Sequence, residues 1–154
     1  SRRLQAADRP AQAMLVAATA AEVIISAGLR RAGIDPDDIR DPARLPSGFT
    51  QTDLVRIDGG RWRIEGLQRR AKLLEALSPA YRRAVEEQGA ETLRARLAAA
   101  RNEAVHQGRQ VTPEALEAAA AYLDLLADAA GAPAPASLPT LPSSLSALVQ
   151  PWRT

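Results

Sequence analysis

The chain of 154 residues is 46% hydrophobic and 25% charged, carries a formal net charge of +2 and contains no cysteine. This size and composition predict one globular domain whose core needs no metal or disulfide for its stability. Disulfide frameworks, thiolate metal sites and cysteine nucleophiles are excluded, which favours a cytoplasmic protein. Because we find neither a run of about 18 uninterrupted apolar residues nor a secretory signal, we expect no membrane association.

The basic residues are almost all arginines, since Lys72 is the only lysine among the 20 lysines and arginines. A guanidinium group binds phosphate through two parallel hydrogen bonds, which makes a phosphate-binding surface one interpretation. A genome that favours arginine and alanine codons is the other interpretation, and composition alone does not separate the two.

The first predicted helix covers residues 11–32, with a start signal at Asp8 and Pro10 and an end at Gly33. Apolar side chains nearly encircle it, a pattern typical of the central and most buried helix of a bundle. Glu22 is the only charge within its apolar stretch. Because an unpaired buried carboxylate is costly, we expect Glu22 either to pair with a buried arginine or to line a groove.

Residues 34–66 interrupt the helical pattern with prolines and glycines, and the stretch around Gly59-Gly60 alternates with period two. We interpret this stretch as a β-hairpin that turns at the two glycines, with Arg56 opposite Arg63 on one face. The other face would hold two apolar pairs, Ile57 with Trp62 and Val55 with Ile64. The arginine face either contacts RNA or is the solvated side of a loop insertion that covers the bundle.

Helical spacing of apolar residues returns over residues 67–77, 79–107 and 113–130. Ser78-Pro79 and Thr112-Pro113 each supply a cap followed by a first-turn proline. Gly89 is a kink or a break within the second segment, and Gly108 is its terminator. We therefore expect residues 1–130 to form an all-α, antiparallel bundle of about four main helices, with a small β-hairpin insertion at 34–66.

The composition changes at residues 131–154, where five prolines alternate with alanine and serine. Such a segment does not sustain a helix over its length, and we expect an extended linker or a docking arm. Four apolar residues could anchor it on its own domain, on a second copy or on a neighbouring domain: Leu145, Leu148, Val149 and Trp152.

Chemical groups concentrate near the end of the helix predicted over residues 79–107. His106 is the only histidine of the chain, and imidazole is the side chain that exchanges protons most readily near neutral pH. At about 100° per residue, Asn102 and His106 lie one above the other, whereas Arg101 is displaced from His106 by roughly 140°. The three groups supply a phosphate clamp, a polar orienting group and a proton-transfer group.

The string RNEAVHQG at residues 101–108 resembles the R-x4–6-H signature of the HEPN (higher eukaryotes and prokaryotes nucleotide-binding) superfamily, and the helical layout over residues 9–130 is similar too. The resemblance implies a small helical bundle that dimerises, so that two copies of the motif face each other. Many such domains are ribonucleases of toxin–antitoxin, CRISPR-linked and antiphage systems. They cleave RNA without a metal and leave a 2′,3′-cyclic phosphate.

Carried over by position, the resemblance implies a role for each residue of the motif. Arg101 would neutralise charge that develops on the phosphate oxygens, His106 would transfer protons, and Asn102 would orient the phosphate or the imidazole. No metal or cofactor is implied. We expect RNA (for example tRNA) and a second copy of the chain as partners, with an antitoxin or a sensor domain as a further partner in a bacterial defence system. Additional candidates are three RNA-binding arginines and one supporting acid: Arg56, Arg63, Arg109 and Glu22.

The alternative is a non-catalytic helical dimerisation or nucleotide-binding module within a larger protein. Arg101 and Asn102 would then make local contacts, and His106 would be favoured at the helix end by the helix dipole. Other chemistries lack a recognisable pattern: one histidine with scattered acids supplies no set of metal ligands. The acids of residues 35–38 lack the spacing of a calcium loop, and no phosphate-binding glycine loop occurs.

Overall fold

The structure, a computed structural model, describes residues 2–106 and 110–129, and for residues 2–8 it describes the backbone alone. Within these ranges the chain is an all-α bundle with one two-stranded antiparallel sheet, as predicted. The elements are α1 Arg2–Arg31, β1 Val55–Arg56, β2 Trp62–Arg63, α2 Leu67–Leu77, α3 Pro79–Gln88, α4 Ala90–His106 and α5 Pro113–Ala129. Two short 3-10 turns, Pro42–Arg44 and Gln51–Asp53, lie in the segment between α1 and β1.

Helix α1 is the centre of the bundle, because it packs against α2, α4 and α5. The side of α1 that faces these helices is fully buried and includes Met14, Ile25 and Leu29. The prediction of a central and largely buried helix is confirmed, although one side of α1 stays exposed. Leu15, Val16 and Val23 lie on its other side, with 38%, 41% and 41% of their surface exposed.

The start of α1 also differs from the prediction. The helix begins at Arg2, and Pro10 lies inside it rather than at its first turn. An internal proline removes one backbone hydrogen bond and crowds the preceding turn, but it does not prevent a helix from continuing upstream. The local pattern of Asp8 and Pro10 was therefore compatible with a helix start without requiring one.

Among the described residues, one helical stretch, Arg9–Arg31, has the length and composition to cross a membrane. Its best window has a mean hydropathy of 1.6, and 56% of that window is buried within the bundle. The central helix of a water-soluble bundle has the same composition, because most of its sides pack against other helices. Packing within the bundle therefore accounts for the buried part of this window, whereas Leu15, Val16 and Val23 stay exposed.

The starts of α3 and α5 and the break between α3 and α4 follow the predicted signals, whereas the predicted terminator Gly108 lies outside the described residues. The Ser78 hydroxyl accepts a hydrogen bond from the Tyr81 N–H over 3.2 Å, which caps α3. The Thr112 hydroxyl accepts from the Ala115 N–H over 3.1 Å and caps α5. Gly89 adopts φ of +67°, a left-handed conformation that favours glycine. The segment predicted over 79–107 is therefore two helices, α3 and α4, with the break at this glycine.

The β-hairpin is present, but its register differs by one residue from the predicted one. Val55 lies opposite Arg63, and Arg56 lies opposite Trp62. Directly opposed residues of an antiparallel pair project to the same side of the sheet. Arg56 and Arg63 therefore do not share the arginine face that the predicted register required, and that prediction is wrong.

The turn of the hairpin explains this shift. The Ile57 N–H donates to the Arg61 carbonyl over 2.9 Å, which leaves residues 58–60 in the loop instead of two glycines alone. Gly59 and Gly60 have φ of +55° and +77°, so both use the conformational freedom of glycine. A three-residue loop moves every pair by one position relative to a two-residue loop.

Arg70 of α2 joins three parts of the fold that are distant in sequence. Its side chain is 13% exposed. Its guanidinium donates to the Ile64 carbonyl over 2.8 Å, to the Ser26 hydroxyl over 2.7 Å and to the Asp37 carboxylate over 2.7 Å. Arg30 also pairs with Asp37, over 2.6 Å. These contacts fasten the 34–66 insertion to the C-terminal end of α1.

The Arg70 hydrogen bond lowers the pKa of Asp37 below its usual value of 3.8. A carboxyl whose pKa is lower in the folded chain stabilises the fold above the unfolded pKa, and that stabilisation is lost as pH falls through the folded value. We expect Asp37→Asn to be less stable than the parent protein near pH 5 and the difference to shrink toward about pH 2. Urea unfolding at several pH values measures this. A difference that stays constant over the whole range, or a similar trend in the control Asp58→Asn, would contradict the pairing.

Candidate functional site

The last two turns of α4 place Arg101, Asn102 and His106 on the surface. Four alanines of the second half of α4 favour helix here, since alanine has the highest helix propensity. They are Ala98, Ala99, Ala100 and Ala104. Because the helix continues to His106, the side chains of Asn102 and His106 stack at i and i+4, as predicted. All three polar side chains are exposed.

The directions of the three side chains follow from the buried side of α4. Arg94, Leu97 and Ala100 are buried and mark the side that faces the bundle. At about 100° per residue, Arg101 lies at the edge of this side, and His106 lies almost opposite to it. One copy of the helix therefore presents the guanidinium and the imidazole in diverging directions, and a ligand bound by both would have to curve around the helix.

No hydrogen bond or ion pair holds Arg101, Asn102 or His106 to another residue within 2–106 and 110–129. Next to them, Val105 exposes 45% of its surface, and Val105 lies one turn after Arg101 on the same side of the helix. The end of α4 thus combines an uncommitted guanidinium, amide and imidazole with an exposed apolar side chain.

The beginning of α4 is held by an ion pair at the edge of the core. Arg94 is 6% exposed, and its Nε and Nη2 donate to the Glu91 carboxylate over 3.0 and 2.6 Å. The hydrogen bond to Glu91 raises the pKa of Arg94, against the opposing effect of burial. Arg94 is therefore a fixed charge on the buried side, roughly 10 Å along the helix axis from Arg101.

Two tyrosines lie close to this ion pair. The hydroxyl groups of Tyr81 and Tyr122 are 2.7 Å apart and fully buried. Burial raises the pKa of both phenols, and the charges of Arg94 and Glu91 act on both of them. The phenols stay neutral and satisfy each other, so this hydrogen bond joins α3 to α5 in the core near the start of α4.

The other predicted site residues lie elsewhere or are engaged differently. The Arg56 guanidinium lies 5.9 Å from the centre of the Trp62 ring, and Arg63 forms an ion pair with Glu65. Glu22 is exposed on α1 and forms no ion pair with any residue that the structure describes, whereas the buried Arg94 pairs with Glu91. Arg109 lies outside the described residues.

Sequence reasoning missed two residues that organise the fold, Arg94 and Arg70. A local signal existed for Arg94, because Glu91 and Arg94 are spaced i and i+3 on one helix. No local signal existed for Arg70, since its hydroxyl partner, Ser26, is 44 residues away in sequence.

Within 2–106 and 110–129, no group of three or more His, Asp or Glu side chains is arranged to hold a metal ion. No protein-family model matches the chain, and no curated protein or solved structure is significantly similar to it. The exposed residues at the end of α4 therefore carry the functional proposal by themselves.

Proposed function

We propose that the chain is a metal-independent endoribonuclease of the HEPN type, with an active site formed by two copies of the last turns of α4. The observation that carries this proposal is the set of Arg101, Asn102 and His106, whose side chains are exposed and have no partner within residues 2–106 and 110–129. Exposed polar side chains are common on any protein surface, and the distinctive feature here is that a guanidinium, an amide and the only imidazole of the chain lie within two turns of one helix. None of the three has a hydrogen-bond or ion-pair partner among the residues that the structure describes, so their donors and acceptors are available to a ligand.

The proposed reaction uses the 2′-hydroxyl of RNA as the nucleophile. The imidazole of His106 in one copy accepts the proton of that hydroxyl while its oxygen bonds to the adjacent phosphorus. The 5′-oxygen leaves and takes a proton from His106 of the second copy. The products are a 2′,3′-cyclic phosphate and a free 5′-hydroxyl. Arg101 offsets the charge that accumulates on the non-bridging oxygens, and Asn102 orients the phosphate or the imidazole.

Two features of the described residues support a site shared between two copies. The chain has one histidine, whereas the reaction profits from one group that removes a proton and another that supplies one. The guanidinium and the imidazole of one copy also diverge, so the facing copy would complete each half of the site. Val105 would be covered in the same contact, which removes its exposed apolar surface from water.

The test is incubation of the full chain with tRNA or total RNA in EDTA, followed by analysis of the new RNA ends. Cleavage that yields 2′,3′-cyclic phosphates and 5′-hydroxyls is expected. Products with 5′-phosphates, or cleavage that requires an added divalent metal, would contradict the mechanism. Absence of cleavage would favour the non-catalytic helical interaction module. A role in a bacterial toxin–antitoxin or antiphage system predicts in addition that expression of the active chain slows growth and that the His106→Ala variant does not.

A further inference from the structure

Helix α1 carries an exposed apolar stripe on the side turned away from the bundle. The stripe consists of Leu15, Val16, Thr19 and Val23, which fall within about 100° of one another around the helix. More than a third of each of the three aliphatic side chains is exposed. The Thr19 hydroxyl donates to the Leu15 carbonyl over 3.0 Å, so its hydrogen is satisfied within the helix and its methyl group adds to the stripe.

The stripe has one acidic neighbour, Glu22, and it ends where α2 covers α1. Glu22 is exposed beside Leu15 and Thr19 on the same side of α1. One turn after Glu22, Ser26 is buried, because Arg70 of α2 covers it. The exposed side of α1 over residues 12–23 is therefore an apolar surface with a single negative charge, bounded at one end by α2.

Residues 130–154 lie outside the described residues, and their sequence is complementary to this surface. Four apolar residues cluster near its end, and Arg153 is the only charged residue of the segment. The 15 or so residues between Ala129 and the cluster reach roughly 50 Å when extended. A domain of this size has a radius of gyration of about 14 Å, so the cluster can reach any part of the same chain. The cluster is Leu145, Leu148, Val149 and Trp152.

We infer that this C-terminal cluster docks on the exposed stripe of α1 within the same chain. The aliphatic side chains and the indole of Trp152 cover Leu15, Val16 and Val23, and Arg153 lies next to Glu22. Burial of apolar surface drives the contact, and the pair of opposite charges sets its direction. The inference concerns residues of α1 that do not belong to the candidate site on α4, and it does not depend on the proposed ribonuclease activity.

The absence of native cysteine permits a direct test by disulfide trapping. A disulfide forms only when the two Cα atoms come within about 7 Å. We expect the pair Val23→Cys and Leu148→Cys to oxidise rapidly to a monomer with an internal cross-link. The matched control pairs Leu148→Cys with Ala95→Cys, which is exposed on α4, and should oxidise at least tenfold more slowly. Equal rates for the two pairs would overturn the inference. A cross-linked dimer from the first pair would overturn it too, because a second copy would then occupy the stripe.

Tryptophan fluorescence gives an independent readout. The chain has two tryptophans, so Trp62→Phe leaves Trp152 as the only reporter. Its emission should be shifted to the blue relative to the protein in urea, and Val23→Arg should shift it back to the red and increase its quenching by acrylamide. Circular dichroism of both variants checks that the helices are retained. Emission typical of a solvent-exposed indole before the Val23→Arg change would contradict the docking.

Discussion

Replacing His106 by alanine is expected to lower the rate of RNA cleavage by about 100- to 10,000-fold, the range that a positioned acid–base group contributes. The substitution removes both proton-transfer groups of a two-copy site at once, because each copy has the same single histidine. His106 is exposed and has no partner among the described residues, so its loss should leave the stability of the fold unchanged. Single-turnover cleavage of a labelled RNA measures the effect.

Substitutions of the neighbouring Arg101 and Asn102 should lower the cleavage rate by smaller, graded amounts. Arg101→Ala is expected to lower the rate by roughly 100- to 1,000-fold, as for removal of one group that stabilises transition-state charge. Asn102→Ala removes one orienting hydrogen bond and should lower the rate on the order of 10- to 100-fold. Arg101→Lys keeps the charge and loses the bidentate geometry, so it should be intermediate.

The matched control for these substitutions is Arg96→Ala. Arg96 is an exposed arginine of the same helix, displaced from Arg101 by about 140° around the axis. Its removal lowers the net charge by the same amount and should change the cleavage rate less than about threefold, a loss of general RNA affinity alone. If Arg96→Ala and Arg101→Ala reduce cleavage equally, Arg101 acts as a general RNA-binding charge and has no catalytic role.

Glu91→Ala is expected to lower the free energy of unfolding by roughly 2–4 kcal/mol, somewhat less than the loss of one member of a fully buried ion pair. The reason is that Arg94 remains 7% exposed in its side chain while its carboxylate partner is gone. Glu91 itself is 52% exposed, which reduces the effect by solvent screening. Urea unfolding monitored by circular dichroism measures the change.

The comparison with Arg94→Met separates the ion pair from simple packing. Methionine fills most of the volume of the arginine stem and needs no charged partner, so this variant should lie within about 1.5 kcal/mol of the parent protein. The double variant, with Glu91→Ala added to Arg94→Met, should be no less stable than Arg94→Met alone. If adding Glu91→Ala to Arg94→Met lowers the free energy of unfolding as much as Glu91→Ala does alone, Glu91 stabilises the fold through some other contact.

Most of the fold could be predicted because its signals are local. Ser78 and Thr112 mark helix starts through one hydroxyl that accepts a hydrogen bond within the first turn. Gly89 marks a break through its own backbone conformation. Each of these signals depends on a few consecutive residues, and each acts in the structure as the sequence indicated.

The features that were predicted incorrectly depend on distant contacts or on small differences in a turn. One added residue in the loop at Gly59 and Gly60 shifts the whole register of the hairpin. The composition of α1 indicated a central and largely buried helix, but it did not indicate which side stays exposed, because that depends on the helices that pack against it. Leu15, Val16 and Val23 lie on that exposed side. The role of Arg70 arises from partners in α1 and in the insertion, which no local pattern reveals.

The sequence predicted how the candidate residues are arranged along one helix, but not how two such helices meet. The spacing of Asn102 and His106 fixes their alignment wherever α4 is helical, and the structure has α4 helical as far as His106. Whether the diverging Arg101 and His106 act together depends on a second copy of the chain, because their angle on one helix is set by the helical repeat. The arrangement of two copies of α4 cannot be predicted from a sequence pattern within one chain.

The most direct test is therefore the distance between the two copies of the α4 surface. Ala99 is exposed and lies seven residues before His106, on the same side of the helix, and the chain has no native cysteine to label. Ala99→Cys with a nitroxide label should give one narrow, short distance between copies by pulsed electron spin resonance, and dilution with unlabelled protein should remove the signal. A monomeric protein, or a dimer whose labels lie on opposite outer surfaces, would contradict a shared active site.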